Sequence, residues 1–412
     1  MNDDRDGGRR LSTQEAARLL GVKPATVYAY VSRGQLSSRR DTVGRGSSFD
    51  AAEVEALARR TRREAAAPAG DLSVRTSLTL IESDRYYYRG VDAVDLASHY
   101  PYEEVAEWLW TGTIPRGARF TAPPEALAAA RRAVDALPEH SGPVDRLRVA
   151  VAAAAVVDPL RFDLSEEAVL GSARCLVPTL VGSLPVLGAE PWAGDGRTAR
   201  QLWPRLTAHA PDPDALDVLD LALGLLVDHD LAASTLAVRV AASARAHPYA
   251  AVSAGLGVLE GPLHGAAGRL AHRMLTEVLE RGGAAPVVAE YLRAGRRVPG
   301  LGHRLYRGED PRAAALFTRL EGLTQAAGAL GAAREVAAVM ARQGAGLQAN
   351  VDLALAVLTV SCGMPAEAGE MVFAVARTAG WIAHALEEYQ ERPLRMRPSG
   401  QYQGARPPQP MP

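Results

Sequence analysis

The sequence predicts a mainly α-helical protein, a large helical body preceded by a small separate module. Three observations predict it. The chain has 412 residues, more than one ordinary core needs, so it divides into domains. Aromatic residues make up only 5% against a hydrophobic fraction of 48%, and alanine is abundant, which favours helices packed closely through small side chains. Helical patterns dominate from about Asp71 to Arg392, broken by proline-containing loops at Asp158-Pro159, at Pro211-Asp212-Pro213 and between Arg297 and Gly302.

The same composition narrows the function. A formal net charge of −1 gives the whole chain no attraction to nucleic acid or to an anionic membrane, so such a partner has to be read from a local segment. The two cysteines, Cys175 and Cys362, lie far apart without metal-type spacing; neither a disulfide framework nor a metal site is expected, and both read as reduced, buried residues. The opening MNDDRDGGRR lacks an apolar signal region. The apolar stretch Ala150 to Val157 stops at Asp158-Pro159 and reads as a buried helix segment, so the expectation is a soluble cytoplasmic protein with no membrane partner.

Taken in order, residues 1–63 form the first module. Ser12 and Glu15 make a capping box ahead of Ala16, Leu19 and Leu20; Gly21 ends that helix, and Pro24 suits the first turn of the next. The second helix carries Thr26, Tyr28, Tyr30 and Arg33, a hairpin follows through Arg39-Arg40, Gly44-Arg45-Gly46 and Phe49, and Asp50 with Glu53 caps a third helix. The module resembles winged helix-turn-helix domains of the MerR and excisionase type. Residues 1–63 hold 13 Lys/Arg against 8 Asp/Glu, so the basic surplus is local. On that resemblance Lys23, Arg33, Arg39, Arg40 and Arg45 are candidates for phosphate contacts, and Thr26 and Tyr28 for base edges. The alternative is that the module has become a packing or oligomer-contact domain. Residues 64–71, rich in alanine, proline and glycine, read as a linker, and residues 404–412, rich in proline, as a disordered tail.

Chemistry concentrates in five strings of the body. Gly261-Pro262-Leu263-His264-Gly265 places a histidine on a tight loop that lets backbone approach a ligand, or simply closes a core turn. Val298-Pro299-Gly300-Leu301-Gly302-His303 repeats the pattern, with Arg312 nine positions later, and two such histidines with a cation suit a site that polarises a carbonyl and holds a carboxylate. Asp352 in Asn350-Val351-Asp352 stands at the mouth of an apolar helix, as a cap or as a poorly solvated carboxylate fit to act as a base. Asp228-His229-Asp230 is read on one helix with Ser234-Thr235, without metal-ligand spacing. Arg377 heads Ala376-Arg377-Thr378-Ala379-Gly380-Trp381, with Arg395 and Arg397 about five helical turns further on.

In order and approximate spacing these strings, together with RYYYRGVD from Arg85 and EEVAEWLWTG from Glu103, resemble the signature segments of citrate synthases from about Ser77 to Tyr402. The resemblance implies a two-domain all-helical fold, with a large domain from residues 72–265 and 362–403 and a small domain from residues 266–361. It implies that Asp352 takes a methyl proton from acetyl-CoA, His264 stabilises the enol or enolate, and His303 polarises the ketone of oxaloacetate. His229, Arg312 and Arg377 would grip the substrate's oxygens, and Arg397 would cross the interface of a homodimer. The loop residues Val298, Gly300, Leu301 and Gly302 would hold coenzyme A, a substrate moiety, so no separate cofactor is implied.

The sequence departs from that pattern beside the site. Gly265-Ala266-Ala267-Gly268-Arg269 stands where Gly-Gly-Ala-Asn-Glu is usual, Ala232 replaces an asparagine, Leu353-Ala354 replace an aromatic pair, and Ser399 replaces an arginine. These changes leave the acyl group open, so 2-methylcitrate synthesis from propionyl-CoA is an alternative. A DNA-binding metabolite sensor built on a synthase core is another.

Overall fold

A computed structural model describes residues 9–32, 36–40, 47–55, 57, 74–188, 196–261, 264–344, 346–398, 403–405 and 409. The chain divides once, into units Met1–Arg75 and Thr76–Pro412.

In the first unit, β1 (Arg10–Ser12) leads into α1 (Thr13–Leu20), followed by α2 (Pro24–Ser32), β2 (Ser38–Arg40), β3 (Ser47–Asp50) and a helical α3 over residues 51–55. The expected punctuation is present. Ser12 and Glu15 close a capping box, Gly21 ends α1 in the left-handed conformation, and Pro24 opens α2. Asp50 Oδ1 accepts the Ala52 and Glu53 amides and so caps α3, whereas the Glu53 carboxylate turns back to accept the Ser37 amide. β2 and β3 form the expected antiparallel hairpin; β1, which the sequence reading lacked, pairs with the other edge of β3. A small core of Leu11, Ala16, Val27, Leu36, Phe49 and Val54 closes the unit. Arg33, Arg45 and the proposed linker lie outside the described residues.

The second unit opens with a sheet of β4 (Thr79–Glu82), β5 (Arg85–Tyr88) and β6 (Val91–Asp92), in antiparallel order. A purely helical reading missed it. Helices follow: α4 (Ala93–His99), α5 (Tyr102–Thr111), α6 (Pro124–Asp135), α7 (Pro143–Val157), α8 (Glu166–Ser183), α9 (Thr198–Leu206), α10 (Pro213–Leu226), α11 (Ala233–Ser243), α12 (Pro248–Leu259), α13 (Ala266–Arg281), α14 (Ala284–Arg293), α15 (Pro311–Leu320), α16 (Ala327–Arg342), α17 (Val351–Ser361) and α18 (Ala368–Gln390). None of the described helices is long and apolar enough to cross a membrane.

One continuous apolar core runs through this unit from Leu78 to Leu386. Its axis is α18, buried along nearly its whole length and packed against α5, α8, α10, α11, α12, α13 and α17. Close approach depends on a glycine: a Cβ at Gly380 would collide with the Val227 carbonyl oxygen, so α18 passes directly beneath the end of α10.

Three local expectations are corrected. Asp228 to Asp230 do not share a helix with Ser234; α10 ends at Leu226, α11 begins at Ala233, and Asp230 between them has a φ of 56°. The Ala150 to Val157 stretch is buried on one face only, for Val156 is 73% exposed. Cys175 is half-buried, while Cys362 is buried.

Candidate active site

Six of the residues singled out from the sequence, His229, His264, His303, Arg312, Asp352 and Arg377, line a single cavity of about 530 Å³. They come from distant parts of the chain, and the local folding of each explains its position.

His303 ends the glycine loop. Gly300 and Gly302 both have φ of +78°, and a Cβ at Gly300 would lie 2.7 Å from that of Leu353, so only glycine lets the loop pass over the start of α17. The loop is stitched to the segment before α17. Gly302 N–H donates to Gln348 O (2.7 Å), Asn350 N–H donates to Gly300 O (3.0 Å), and the Asn350 side-chain amide donates to Gly302 O (2.9 Å), around a bridge from Leu301 to Ala349. Asn350 Oδ1 also accepts the Asp352 and Leu353 amides, so Asn350, not Asp352, is the N-cap of α17. Val298, Gly300, Leu301 and Gly302 therefore lie behind His303 and brace it, outside the cavity wall.

Asp310 supplies a second brace. It caps α15, holds Arg312 through two contacts (2.9 and 2.8 Å), and accepts the Val351 amide (3.1 Å), which fixes the start of α15 to the start of α17. Leu305 N–H donates to His303 Nδ1 (3.1 Å), which puts the ring proton on Nε2, 3.3 Å from Arg312 Nη2. Two N–H groups converge there, a geometry suited to a carbonyl or carboxylate oxygen. Burial and the Arg312 charge push the His303 pKa down to about 4, so the imidazole is neutral.

His264 is held from the opposite side. Trp381 Nε1–H donates to Ser234 Oγ (3.3 Å), and the Ser234 hydroxyl lies 2.8 Å from His264 Nε2. The serine oxygen thus couples the indole to the imidazole and holds the ring in place. Burial, reinforced by Arg377, lowers the His264 pKa to about 4. His229 pairs through Nε2 with the Tyr306 hydroxyl (2.7 Å), and burial with two nearby arginines keeps it neutral. Beneath it Asp228 is clamped by Thr79 Oγ1 (2.5 Å), His384 Nε2 (3.2 Å) and the Tyr88 hydroxyl, which accepts the Asp228 amide (3.2 Å). The unanticipated sheet thus anchors the loop that carries His229.

Arg377 is fully buried. Its Nε donates to Leu226 O (2.9 Å), its guanidinium lies 4.5 Å over the Phe373 ring, and its Nη2 has no hydrogen-bond partner among the described residues. A buried donor of that kind suits an anion. Asp352 lies in the first turn of α17; burial raises its pKa to about 6 against the opposing pull of Arg312. Of these six groups the imidazoles are neutral, Asp352 ionises near pH 6, and Arg312 and Arg377 are cationic; Asp230 and Arg304 also line the cavity.

Arg397 is not part of it. It is exposed beyond the end of α18, which stops at Gln390, while Arg395 donates to Glu388 at 2.5 Å. In the first unit Lys23 and Arg39 are exposed, Thr26 is half-buried and Arg40 lies on β2. The Tyr28 ring is exposed but its hydroxyl sits 3.3 Å from Thr13 Oγ1, within the module. Sequence reasoning missed Tyr306 and the roles of Ser234 and Trp381. Tyr306 stood between His303 and Arg312, both already singled out, whereas the Ser234 and Trp381 contacts cross between helices and leave no local signal.

Comparisons with known proteins give the family and the fold. Residues 69–399 match the model of the citrate synthase C-terminal domain, and residues 10–62 match a helix-turn-helix domain. The citrate synthase of Haloferax volcanii is 32% identical over 360 residues, covering 81% of this chain and 94% of its own length. The crystal structure of citrate synthase from Pyrobaculum aerophilum superposes with a TM-score of 0.69 at 27% identity, covering 83% of this chain and 92% of that one. The citrate synthase of Thermoplasma acidophilum, solved as a ternary complex with carboxymethyl coenzyme A and oxaloacetate, gives 0.66 at 25% identity, covering 83% and 97%. With its helical body, its shared cavity and a family match over most of its length, this chain belongs to the citrate synthase family.

Proposed function

We propose that the protein is a citrate synthase, condensing acetyl-CoA with oxaloacetate to give citrate and free CoA without a further cofactor. The observation that carries the reading is the single cavity in which Asp352, His264 and His303 meet Arg312 and Arg377.

A thioester α-proton is too weakly acidic for a carboxylate in water, so the base needs desolvation and the developing oxyanion needs a fixed donor. Asp352, half-buried at the cavity and with a raised pKa, takes the methyl proton. His264, neutral and held by Ser234, donates a ring N–H to the thioester oxygen as the enol or enolate forms. The carbanion carbon attacks the ketone carbon of oxaloacetate, whose oxygen receives hydrogen bonds from His303 Nε2–H and Arg312. Arg377, Arg312 and His229 hold the two carboxylates. Water then cleaves citryl-CoA to citrate and CoA. Residues 266–361 act as a small domain that closes on residues 72–265 and 362–403 after oxaloacetate binds, with Val298 to Gly302 holding coenzyme A. The exposed Arg397 crosses to the cavity of a second copy in a homodimer.

The test is release of CoA thiol that requires both substrates. Asp352→Asn should lower kcat by about 10²–10⁴-fold; retention of native turnover in that variant would remove the base from the mechanism. The first unit supports a second, separate activity, because its local basic surplus and its helix-turn-helix match suit DNA binding. Binding to duplex DNA that weakens steeply with salt and with Lys23→Ala and Arg39→Ala is the expected result; salt-insensitive or absent binding would make the module a packing domain.

A further inference from the structure

A two-residue turn joins β4 to β5, and its residues fit it poorly. Ser83 and Asp84 both hold left-handed backbone, with φ of 53° and 59°. A hairpin turn with both central residues at positive φ favours glycine at the second position, where Asp84 stands. What the aspartate adds is a carboxylate aimed at a distant segment. Arg307 N–H donates to Asp84 Oδ1 (2.8 Å) and Gly308 N–H donates to Asp84 Oδ2 (3.1 Å). Two successive amides thus share one carboxylate through charge-assisted bonds. The approach is close: a Cβ at Gly308 would lie 2.9 Å from Oδ2, so a side chain there would push the carboxylate off its amides.

The segment so held borders the substrate cavity. Between His303 and Asp310 the chain is exposed at Arg304, Leu305, Arg307, Gly308 and Glu309 and turns only Tyr306 inward. Tyr306 sets its hydroxyl 2.7 Å from His229 Nε2, its ring 4.8 Å from that of His303 and 5.9 Å from the Arg312 guanidinium. It touches three of the groups that grip the substrate's oxygens. The open end of the same hairpin holds the facing loop, where Thr79 and Tyr88, paired across the two strands, fix Asp228 next to His229. One hairpin therefore fixes His229 from its root and Tyr306 from its tip.

We infer that Asp84 is a positioning residue for the dicarboxylate substrate: through the Arg307 and Gly308 amides it holds Tyr306 against His229, and so sets the affinity of the cavity for oxaloacetate. The inference rests on the condensation reading above. Asp84 touches no reacting atom. It governs the fraction of the protein in which the substrate grip is assembled, and apparent affinity falls in proportion to that fraction.

The experiment measures kcat and KM for oxaloacetate, at saturating acetyl-CoA, in the native protein and in Asp84→Gly, Asp84→Asn and Ser83→Gly. Asp84→Gly removes the carboxylate while suiting the turn, so the hairpin is kept. It should raise KM for oxaloacetate about tenfold, the scale of one lost hydrogen bond to a charged group, with kcat little changed. Asparagine tolerates the same backbone and keeps one acceptor oxygen, so Asp84→Asn should recover part of the loss. Ser83→Gly eases the neighbouring residue without touching the carboxylate and should keep native kinetics. A native KM in Asp84→Gly overturns the inference. So does an equal rise in Ser83→Gly, which would assign the effect to turn geometry, and so does a fall in kcat at unchanged KM, which is what a smaller folded fraction gives. A native protein without turnover would sink the condensation reading instead, and calorimetric titration of oxaloacetate into native and Asp84→Gly protein would still decide whether Asp84 sets its affinity.

Discussion

At Asp352 two forces oppose each other: burial raises its pKa to about 6, while Arg312 and the N-terminus of α17 favour the anion. Both loop imidazoles, with pKa values near 4, stay neutral across the working range. The acid limb of kcat/KM should therefore fall with a single apparent pKa near 6 and report the carboxylate; a limb near 4 or a second-order fall would contradict the assignment. The stability consequence has a definite sign. A folded pKa above the unfolded value means that ionised Asp352 destabilises the fold above the ordinary carboxylate range, a cost relieved as pH drops through about 6. Asp352→Asn should thus add about 1–2 kcal/mol of stability at pH 7.5 and raise the melting temperature, while lowering kcat as above. Calorimetry of the two proteins decides, and a destabilised variant would count against burial as the origin of the shift. The two histidines act in the opposite sense. Between pH 6.5 and about 4 the unfolded chain takes up protons that the folded site refuses, so stability declines on acidification.

Among the elements, the glycine loop before His303 makes the strongest demand on sequence. Gly300→Ala places a methyl against Leu353 in a left-handed backbone and should cost about 1–3 kcal/mol together with a large loss of kcat/KM for oxaloacetate, because the stitched loop aims His303. Gly282→Ala is the control. Its φ of +68° is similarly strained, yet nothing lies within 4 Å of the added atom, so it should cost about 1 kcal/mol with kinetics unaltered. Matching kinetic losses in both variants would show that strain alone is responsible. How far the elements could be read from sequence follows the same division. Ser12, Gly21 and Pro24 act through their own neighbours, and the first two helices were legible from them. The β4–β6 sheet was not: Tyr86 and Tyr88 are buried against α10, so the pattern of RYYY reflects a tertiary contact that no local rule reports. The irregular stretch from Asp228 to Ala232 was read as helix for a related reason, since its geometry is imposed by Thr79, Tyr88 and His384 from elsewhere in the chain.

For the whole molecule, the two units have separate cores. A calorimetric scan should resolve two transitions. Oxaloacetate at a hundredfold excess over its Kd should raise only the larger unit's stability, by about 2.7 kcal/mol, and a shift of the smaller transition would show that the units are coupled. The convergence of the site residues was legible because five of the six stand in a punctuated string, with histidine, arginine or aspartate near glycine, proline or asparagine, and His229 lies between two aspartates. Their bracing was not, because Ser234, Trp381, Tyr306 and Asp310 act by contacts between elements. One such brace bears on how this protein can vary. Residues 300–302 and 348–350 are sewn together, so His303 and Asp352 are mounted on one bracket, and the helices between them form an excursion that leaves and returns to the same anchor. Chain added or removed at the exposed turn around Gly322 would lengthen or shorten that excursion while the gap between His303 and Asp352 stayed put, which makes this stretch free to diversify in length under selection for an unchanged reaction.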